Sequence, residues 1–450
     1  MKSNKSVSIT PVADSQCHAA TIAIDLPGDK SLTHRCIMLA CISRGSFLLK
    51  EVSLGLDCLA TMAVFRQLGC KLTLQGNDLV IQSPGWQKWS PQNLELDCQN
   101  SGTTARLLMG LFSGLENFIV VLDGDESLRS RPMSRITDFI DLAEGKYEYL
   151  AEKGYLPIKI IGSPLKNVEY HFSQASAQVK SAVMLSTLGG SKQQVRLPLG
   201  GRNHSELIMP KVGFAIDIET DQTHELIQVS YTQQDSWPKE TLVPADPSAL
   251  VFWLIILPSL KPKTKMVFSH VLLNPTRTAF FSVCAELGFE FDWQEPLENS
   301  IETVANLTVT YHNQKPSVSE QIWDGSLMID EVPALASIAL STGKSIRFDK
   351  VEELRIKESD RLKKIRELVE IFGGLSQYKD GILTIASSRE QTPKGVIDLG
   401  EDHRIVMCGV ALTVAIKGSL TIQNGECASV SYPDFYRSLV KLQVANIDYQ

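Results

Sequence analysis

The chain reads as an α/β (α+β) protein assembled from repeats of one small subdomain, and three features of the sequence predict this. A helical pattern ending at a glycine, then an alternating strand, a turn and a second strand, occurs five times. The terminating glycines, Gly69, Gly145, Gly213, Gly288 and Gly373, lie about 70 to 85 residues apart, too far for a solenoid and suited to a repeated α/β unit. Short strands also run into helices through junctions rich in glycine, serine, lysine and arginine. Five visible copies predict six, the last being less regular or built from both chain ends.

In chain order, the strand Thr21 to Ile24 leads through Leu26-Pro27-Gly28-Asp29-Lys30-Ser31-Leu32-Thr33-His34-Arg35 into a helix over Cys36 to Cys41. The first clear repeat is Ala63 to Gln82. There Phe65 to Gly69 closes a helix, Lys71 to Leu74 is a strand, Gly76-Asn77-Asp78 turns, and Leu79 to Gln82 returns. Further copies follow at Leu142 to Ile161, Lys211 to Tyr231, Cys284 to Tyr311 and Leu368 to Ala386, the last with Lys379-Asp380-Gly381 as its hairpin turn. Strands at Leu94 to Leu96 and Phe118 to Leu122 each precede a helix start. The apolar run Leu250 to Leu257, closed by Pro258, is a buried helix, well short of the roughly 20 residues that span a bilayer. Pro27, Pro238, Pro244 and Pro247 punctuate the pattern, which places the crossings between two globules near Ile24 to Leu26 and Leu242 to Asp246. Residues 1–24 with 243–450 then form one domain, interrupted by a second over 25–242.

Composition narrows the function. With 450 residues, 43% hydrophobic and 21% charged, the chain is an ordinary globular protein of two or three domains. Its net charge of -7 argues against a nucleic-acid binder, so any anion site is local. Nine scattered cysteines without a Cys-x-x-Cys pair suit a reducing cytoplasm and give neither a disulfide framework nor a zinc site. The polar start, Met1 to Thr10, has no signal-peptide core.

Residues 353 to 361 concentrate three cations and three carboxylates where the chain enters a helix. Lys357 and Arg361, one helical turn apart with Glu358 beside them, suit acid/base chemistry on a phosphorylated substrate. Read alone, the run fits a solvated face laced with salt bridges equally well. Lys30 and Arg35 are candidate anion ligands at a helix start whose glycine spacing is not that of a Walker A loop. Asn100 or Ser101 caps the next helix, and Gly102 admits a ligand to the backbone. Arg131 offers a bidentate fork, Ser176-Ala177-Gln178-Val179-Lys180 opens a further helix, and Arg202-Asn203-His204-Ser205-Glu206 adds another arginine. His204 and Glu206 fit a polar network better than a metal site. Asp330, before the apolar helix Ala334 to Leu340, is a candidate general base or a helix cap. Asp402-His403-Arg404 precedes a helix over Ile405 to Val414. No dinucleotide, Walker A or zinc pattern is present, which predicts chemistry without a cofactor or metal.

These segments together resemble the 5-enolpyruvylshikimate-3-phosphate (EPSP) synthase family, the 3-phosphoshikimate 1-carboxyvinyltransferases, from about Thr21 to Leu439. The resemblance also rests on Asn274-Pro275-Thr276-Arg277. It implies six βαβαββ units in two inside-out globular domains closing around a cleft, and two substrates, shikimate 3-phosphate and phosphoenolpyruvate. By similarity, Lys30, Ser31, Arg35, Ser176, Gln178, Arg202, Asp330 and Lys357 contact shikimate 3-phosphate. Lys30, Gly102, Arg131, Gln178, Arg361 and Arg404 hold phosphoenolpyruvate, and Asn100, Ala177 and Glu353 complete the substrate-binding set. Asp330 would accept the hydroxyl proton and Glu358 donate to carbon, with Lys30 and His403 assisting. A monomer without membrane or nucleic-acid partners is implied.

The chain departs from the family pattern at Gly201, where many members have serine, and at Glu353, where some have asparagine. It also lacks a lysine near Ser429 to Ser431, and Gly55-Leu56-Asp57-Cys58 is less acidic than usual. Gly28-Asp29-Lys30-Ser31, Ser176 to Lys180, Arg202 to Glu206 and Asn274 to Arg277 resemble the class II enzymes, often tolerant of glyphosate, although Gly102 is retained where alanine is one route to tolerance. A related enolpyruvyl transferase with another acceptor, or a noncatalytic binding relative, is the alternative.

Overall fold

The computed structural model describes residues 5–12, 20–90, 92–232, 237–297, 300–313, 321–388 and 393–449. Met1 to Asn4, part of the polar start, and Cys17 lie outside them. Among the described residues, six four-stranded sheets share one plan, with one parallel pairing at one edge followed by two antiparallel pairings. One unit shows how the chain makes it. Strand Gln92–Asp97, helix Gly102–Ser113, strand Ile119–Asp123, helix Ser134–Leu142 and the strands Lys146–Tyr149 and Ile158–Ile161 give the order βαβαββ. The sixth sheet takes Val7–Pro11 from one end of the chain and Gly395–Asp398, Leu420–Gln423 and Ala445–Tyr449 from the other. The expected less regular copy is therefore the one built from both ends.

Two compact units result, residues 1–27, 245–298 and 303–450 in one and 28–244 with 299–302 in the other. At the crossings the repeat is shared. Strand Thr21–Ile24 pairs in parallel with Lys265–Leu272 and then leads into helix Lys30–Ile42 of the other unit. Strand Glu240–Leu242 pairs with Arg44–Lys50 and leads back into helix Pro247–Ile256. The segment 299–302 departs from the expected division, and hydrogen bonds explain its membership. Ser300 Oγ and the Ile301 amide both donate to the carbonyl of Leu242, at 2.9 and 3.4 Å.

Each unit has three central helices buried almost all round, which is why their sequences lack a clean amphipathic period. In the first they are Pro247–Ile256, Val332–Thr342 and His403–Ala415; in the second, Lys30–Ile42, Gly102–Ser113 and Ala177–Ser186. Gly110 is what lets two of these approach closely, since a Cβ there would sit 2.1 Å from the carbonyl oxygen of Ala182. The hairpin at Asp380-Gly381, with φ of 53° and 78°, forms as the sequence predicts. Gly69, Gly213, Gly288 and Gly373 hold the left-handed position after their helices, but after Ser134–Leu142 that position is taken by Glu144 at φ 55°. Gly145 is required there for packing, because a Cβ would lie 2.6 Å from Ile140 Cγ2.

Candidate active site

The N-termini of the three central helices are neighbours in each unit, so their partial positive charges gather where the sequence places its cations. In the second unit Asp29 caps the first helix by accepting from the Leu32 amide at 2.8 Å. The helix thus starts at Lys30, earlier than expected, and Lys30, Ser31 and Arg35 lie inside it. Lys30 donates to Asp57 Oδ2 at 2.9 Å. Arg35 is buried and donates to Ser205 Oγ at 2.8 Å, Ser181 Oγ at 2.7 Å and the carbonyls of Ser31 and Ala177 at 3.1 and 3.5 Å. Burial draws its pKa down to about 10 against the opposing pull of Glu206, Asp29 and Glu302, and it remains a cation at neutral pH. Its nitrogens thus bracket the chain around Ser31 and Ala177.

Ser101, not Asn100, caps helix Gly102–Ser113. Asn100 instead accepts from Arg131 Nη2 at 2.8 Å and donates to Asp125 at 2.9 Å, aligning the Arg131 fork. A Cβ on Gly102 would lie 2.8 Å from Arg106 Nη1 and 3.5 Å from Arg131 Nη1, so the glycine keeps two guanidinium groups close to a helix N-terminus. Gln178 joins two helices, accepting from Arg106 Nη1 at 2.8 Å and donating to Thr103 Oγ1 at 3.0 Å. Ser176 caps its helix through the Val179 amide at 3.4 Å, and Arg202 lies just before helix His204–Ile208.

The first unit brings its candidates together on one buried guanidinium. Arg361 Nε meets Asp402 Oδ2 at 2.8 Å, Nη1 meets Asp330 Oδ1 at 3.2 Å, and Nη2 meets Glu358 Oε2 at 2.5 Å. Burial lowers the Arg361 pKa, but Asp402, Glu358 and Asp330 outweigh it and hold the group above its ordinary range. Burial raises Asp402, and Arg361 and His403 outweigh that to hold it below the usual carboxylate value. Arg404 Nη1 donates to the carbonyl of Asp330 at 3.1 Å. Helix His403–Ala415 begins at His403 with Asp402 as its cap, so His403 and Arg404 belong to its first turn, not to the segment before it. Asp330 is not a cap either: Glu331 occupies that position, buried and accepting from Ser248 Oγ, which also accepts from Arg277 Nη2 at 3.0 Å.

The expected helical pairing of Lys357 with Arg361 does not form. Glu352–Ile356 is a 3-10 turn, the helix starts at Arg361 with Asp360 as its cap, and Lys357 donates to Glu353 Oε1 at 2.6 Å. The serine and aspartate at 359 and 360 end one element and begin the next, so the charges of this run do not share one helix. Arg106, Asp402 and Lys180 carry more of the geometry than their sequence segments revealed. The pattern of an aspartate directly before an apolar helix is the signal that could have found Asp402. Among the described residues no group of three or more His, Cys, Asp or Glu side chains could hold a metal ion, and no helix is long and apolar enough to cross a membrane.

Known structures place this architecture in a class. The chain superimposes on EPSP synthase from Acinetobacter baumannii with a TM-score of 0.80 and 26% identity, covering 99% of this chain and all 100% of that one. It shares the fold of the enolpyruvyl transferase NikO from Streptomyces tendae, with a TM-score of 0.67 at 14% identity over 99% of each chain. The fold is that of the enolpyruvyl transferases. Curated 3-phosphoshikimate 1-carboxyvinyltransferases are similar in sequence: the Caldicellulosiruptor saccharolyticus protein is 34% identical over 93% of this chain and 95% of its own length. The Bacillus cytotoxicus protein is also 34% identical, over 94% and 97%. With the family profile matching residues 17–439, the chain belongs to the EPSP synthase (3-phosphoshikimate 1-carboxyvinyltransferase) family.

Proposed function

We propose that this chain transfers the enolpyruvyl group of phosphoenolpyruvate to the 5-hydroxyl of shikimate 3-phosphate, releasing phosphate, as its family does. The observation that carries the assignment of residues is the cluster on Arg361, which joins a candidate base, Asp330, and a candidate acid, Glu358, through one buried cation. In the first step the 5-hydroxyl oxygen bonds to C2 of phosphoenolpyruvate, its proton passes to Asp330, and C3 gains a proton from Glu358. The product is a tetrahedral ketal. In the second, the bond from C2 to the phosphate oxygen breaks, C3 returns a proton to Glu358, the departing phosphate takes up the proton held by Asp330, and the enol ether forms.

Each nitrogen of Arg361 already meets a carboxylate, so a substrate anion that approaches it competes with one of them. Glu358 is 30% exposed, against 17% for Asp330 and 0% for Asp402, and is the one that leaves. Displacement frees Glu358 to carry a proton while Asp330 keeps Arg404 as its neighbour. Arg131 and Arg404 supply further charge to phosphoenolpyruvate; Ser31, Ser176, Gln178 and Arg202 receive shikimate 3-phosphate, with Lys30 serving both. Asn100, Arg35 and Ala177 support these contacts through the bonds described above. Lys357 and Glu353 contribute as a pair to the acceptor, and His403 assists from beside Asp402.

Phosphate release from phosphoenolpyruvate, followed with shikimate 3-phosphate and with shikimate as acceptors, tests the proposal. Release with the phosphorylated acceptor only is expected. Equal release with shikimate, or none with either, would overturn the assignment.

A further inference from the structure

We infer that Lys180 is a positioning residue for the 3-phosphate end of shikimate 3-phosphate; this rests on the function proposed above. Lys180 touches no solvent, so no substrate reaches it. Its ammonium meets Glu206 Oε1 at 2.5 Å and Glu225 Oε1 at 2.8 Å, tying helix Ala177–Ser186 to helix His204–Ile208 and to strand His224–Tyr231. A buried ion pair of this kind gives little net stability, because desolvation offsets the attraction, whereas it does fix geometry.

What it fixes is the loop before Arg202. A Cβ on Gly201 would lie 3.4 Å from Lys180 Nζ, 3.5 Å from its Cε and 3.7 Å from the Ser176 amide nitrogen. The side of Gly201 that would carry a side chain therefore faces both the lysine head and the helix cap, and Arg202 follows directly. Glycine alone would leave this loop loose, since it restricts the backbone least. Arg35 completes the arrangement through Ser181 and Ser205, the neighbours of Lys180 and Glu206 on the same two helices. Ser31, Ser176 and Arg202, three of the groups assigned to the acceptor, are thus linked to the two buried cations Lys180 and Arg35. The segments 176–180 and 202–206 act as one structural piece through Lys180 and Glu206.

Removing Lys180 alone would strand two carboxylates, so the test uses Lys180→Met with Glu206→Gln, together with the single variants Lys180→Arg and Glu225→Gln. For the double variant the expected result is a KM for shikimate 3-phosphate raised about tenfold, with kcat and the KM for phosphoenolpyruvate within about threefold of the parent. Lys180→Arg should recover part of the loss, and Glu225→Gln should raise the same KM alone by a smaller factor. An unchanged KM for shikimate 3-phosphate in Glu225→Gln and in any folded double variant overturns the inference. So does an equal rise in both KM values. If the parent enzyme neither turns over nor binds shikimate 3-phosphate, the functional proposal itself fails, which is a different outcome from a competent parent with indifferent variants.

Discussion

Arg361 reaches Asp402, Asp330 and Glu358 with its three nitrogens, and a side chain so placed serves structure and chemistry together. Arg361→Ala would strip the buried Asp402 of its countercharge and remove the cation that Asp330 and Glu358 share, and the expected cost is about 3–5 kcal/mol in denaturant unfolding, beyond loss of turnover. Asp330→Asn keeps the shape and removes the proposed proton acceptor, so kcat should fall by about 10²–10⁴ with unfolding little changed. A second titrating site is His34, whose pKa burial holds well below 6.5, with Lys30 and Arg35 adding to the effect. Its folded pKa is depressed, so the unfolded chain binds the extra proton, and stability falls as pH drops below 6.5 toward the folded value. His34→Asn, which can keep the bond that Thr61 makes, should show a shallower fall in melting temperature from pH 7 to 5; an identical slope would contradict this. Much of this scale was legible in the sequence as residue types. Partners were not, because Asp402 and Arg361 are 41 residues apart in the chain and only the tertiary fold joins them.

Glycines at equivalent points of the repeat serve different ends, and substitution separates them. Gly69→Ala meets no atom within 4 Å but must adopt φ 88°, for an expected cost of about 1–2 kcal/mol. Gly145→Ala adopts its backbone freely and instead collides with Ile140 Cγ2 and Leu165 Cδ2, an overpacking cost of about 1–3 kcal/mol that Ile140→Leu, which is not branched at Cβ, should relieve and that the same change could not relieve at Gly69. Gly110→Ala is the severe case. Its Cβ meets backbone at Ala182, so the helices carrying Gly102 and Gln178 must part, and both folding yield and affinity for phosphoenolpyruvate should drop. The helix-glycine-hairpin rhythm exposed most of these elements in the sequence. Helix starts were read late at Lys30 and His403 because Asp29 and Asp402 are caps, and a polar first turn looks like loop until the cap is recognised.

At the scale of the molecule, six copies of one subdomain are divided between two units, and the strands at the two crossings, Thr21–Ile24 and Glu240–Leu242, each end one unit before the chain enters the other. Proline punctuation gave the neighbourhood of these crossings. It could not reveal that residues 299–302 join the second unit, since that depends on hydrogen bonds to Leu242. The plan gives each unit three central helices, and the sequence places cations, carboxylates and small polar groups at their N-termini in both. The reaction proposed for those groups is tested most directly by NMR of the purified protein with shikimate 3-phosphate and phosphoenolpyruvate, run beside Asp330→Asn and Glu358→Gln. The predicted result is a new enol ether and free phosphate with the parent chain and a loss of both in each variant; no enol ether from the parent, or undiminished product from the variants, would contradict it.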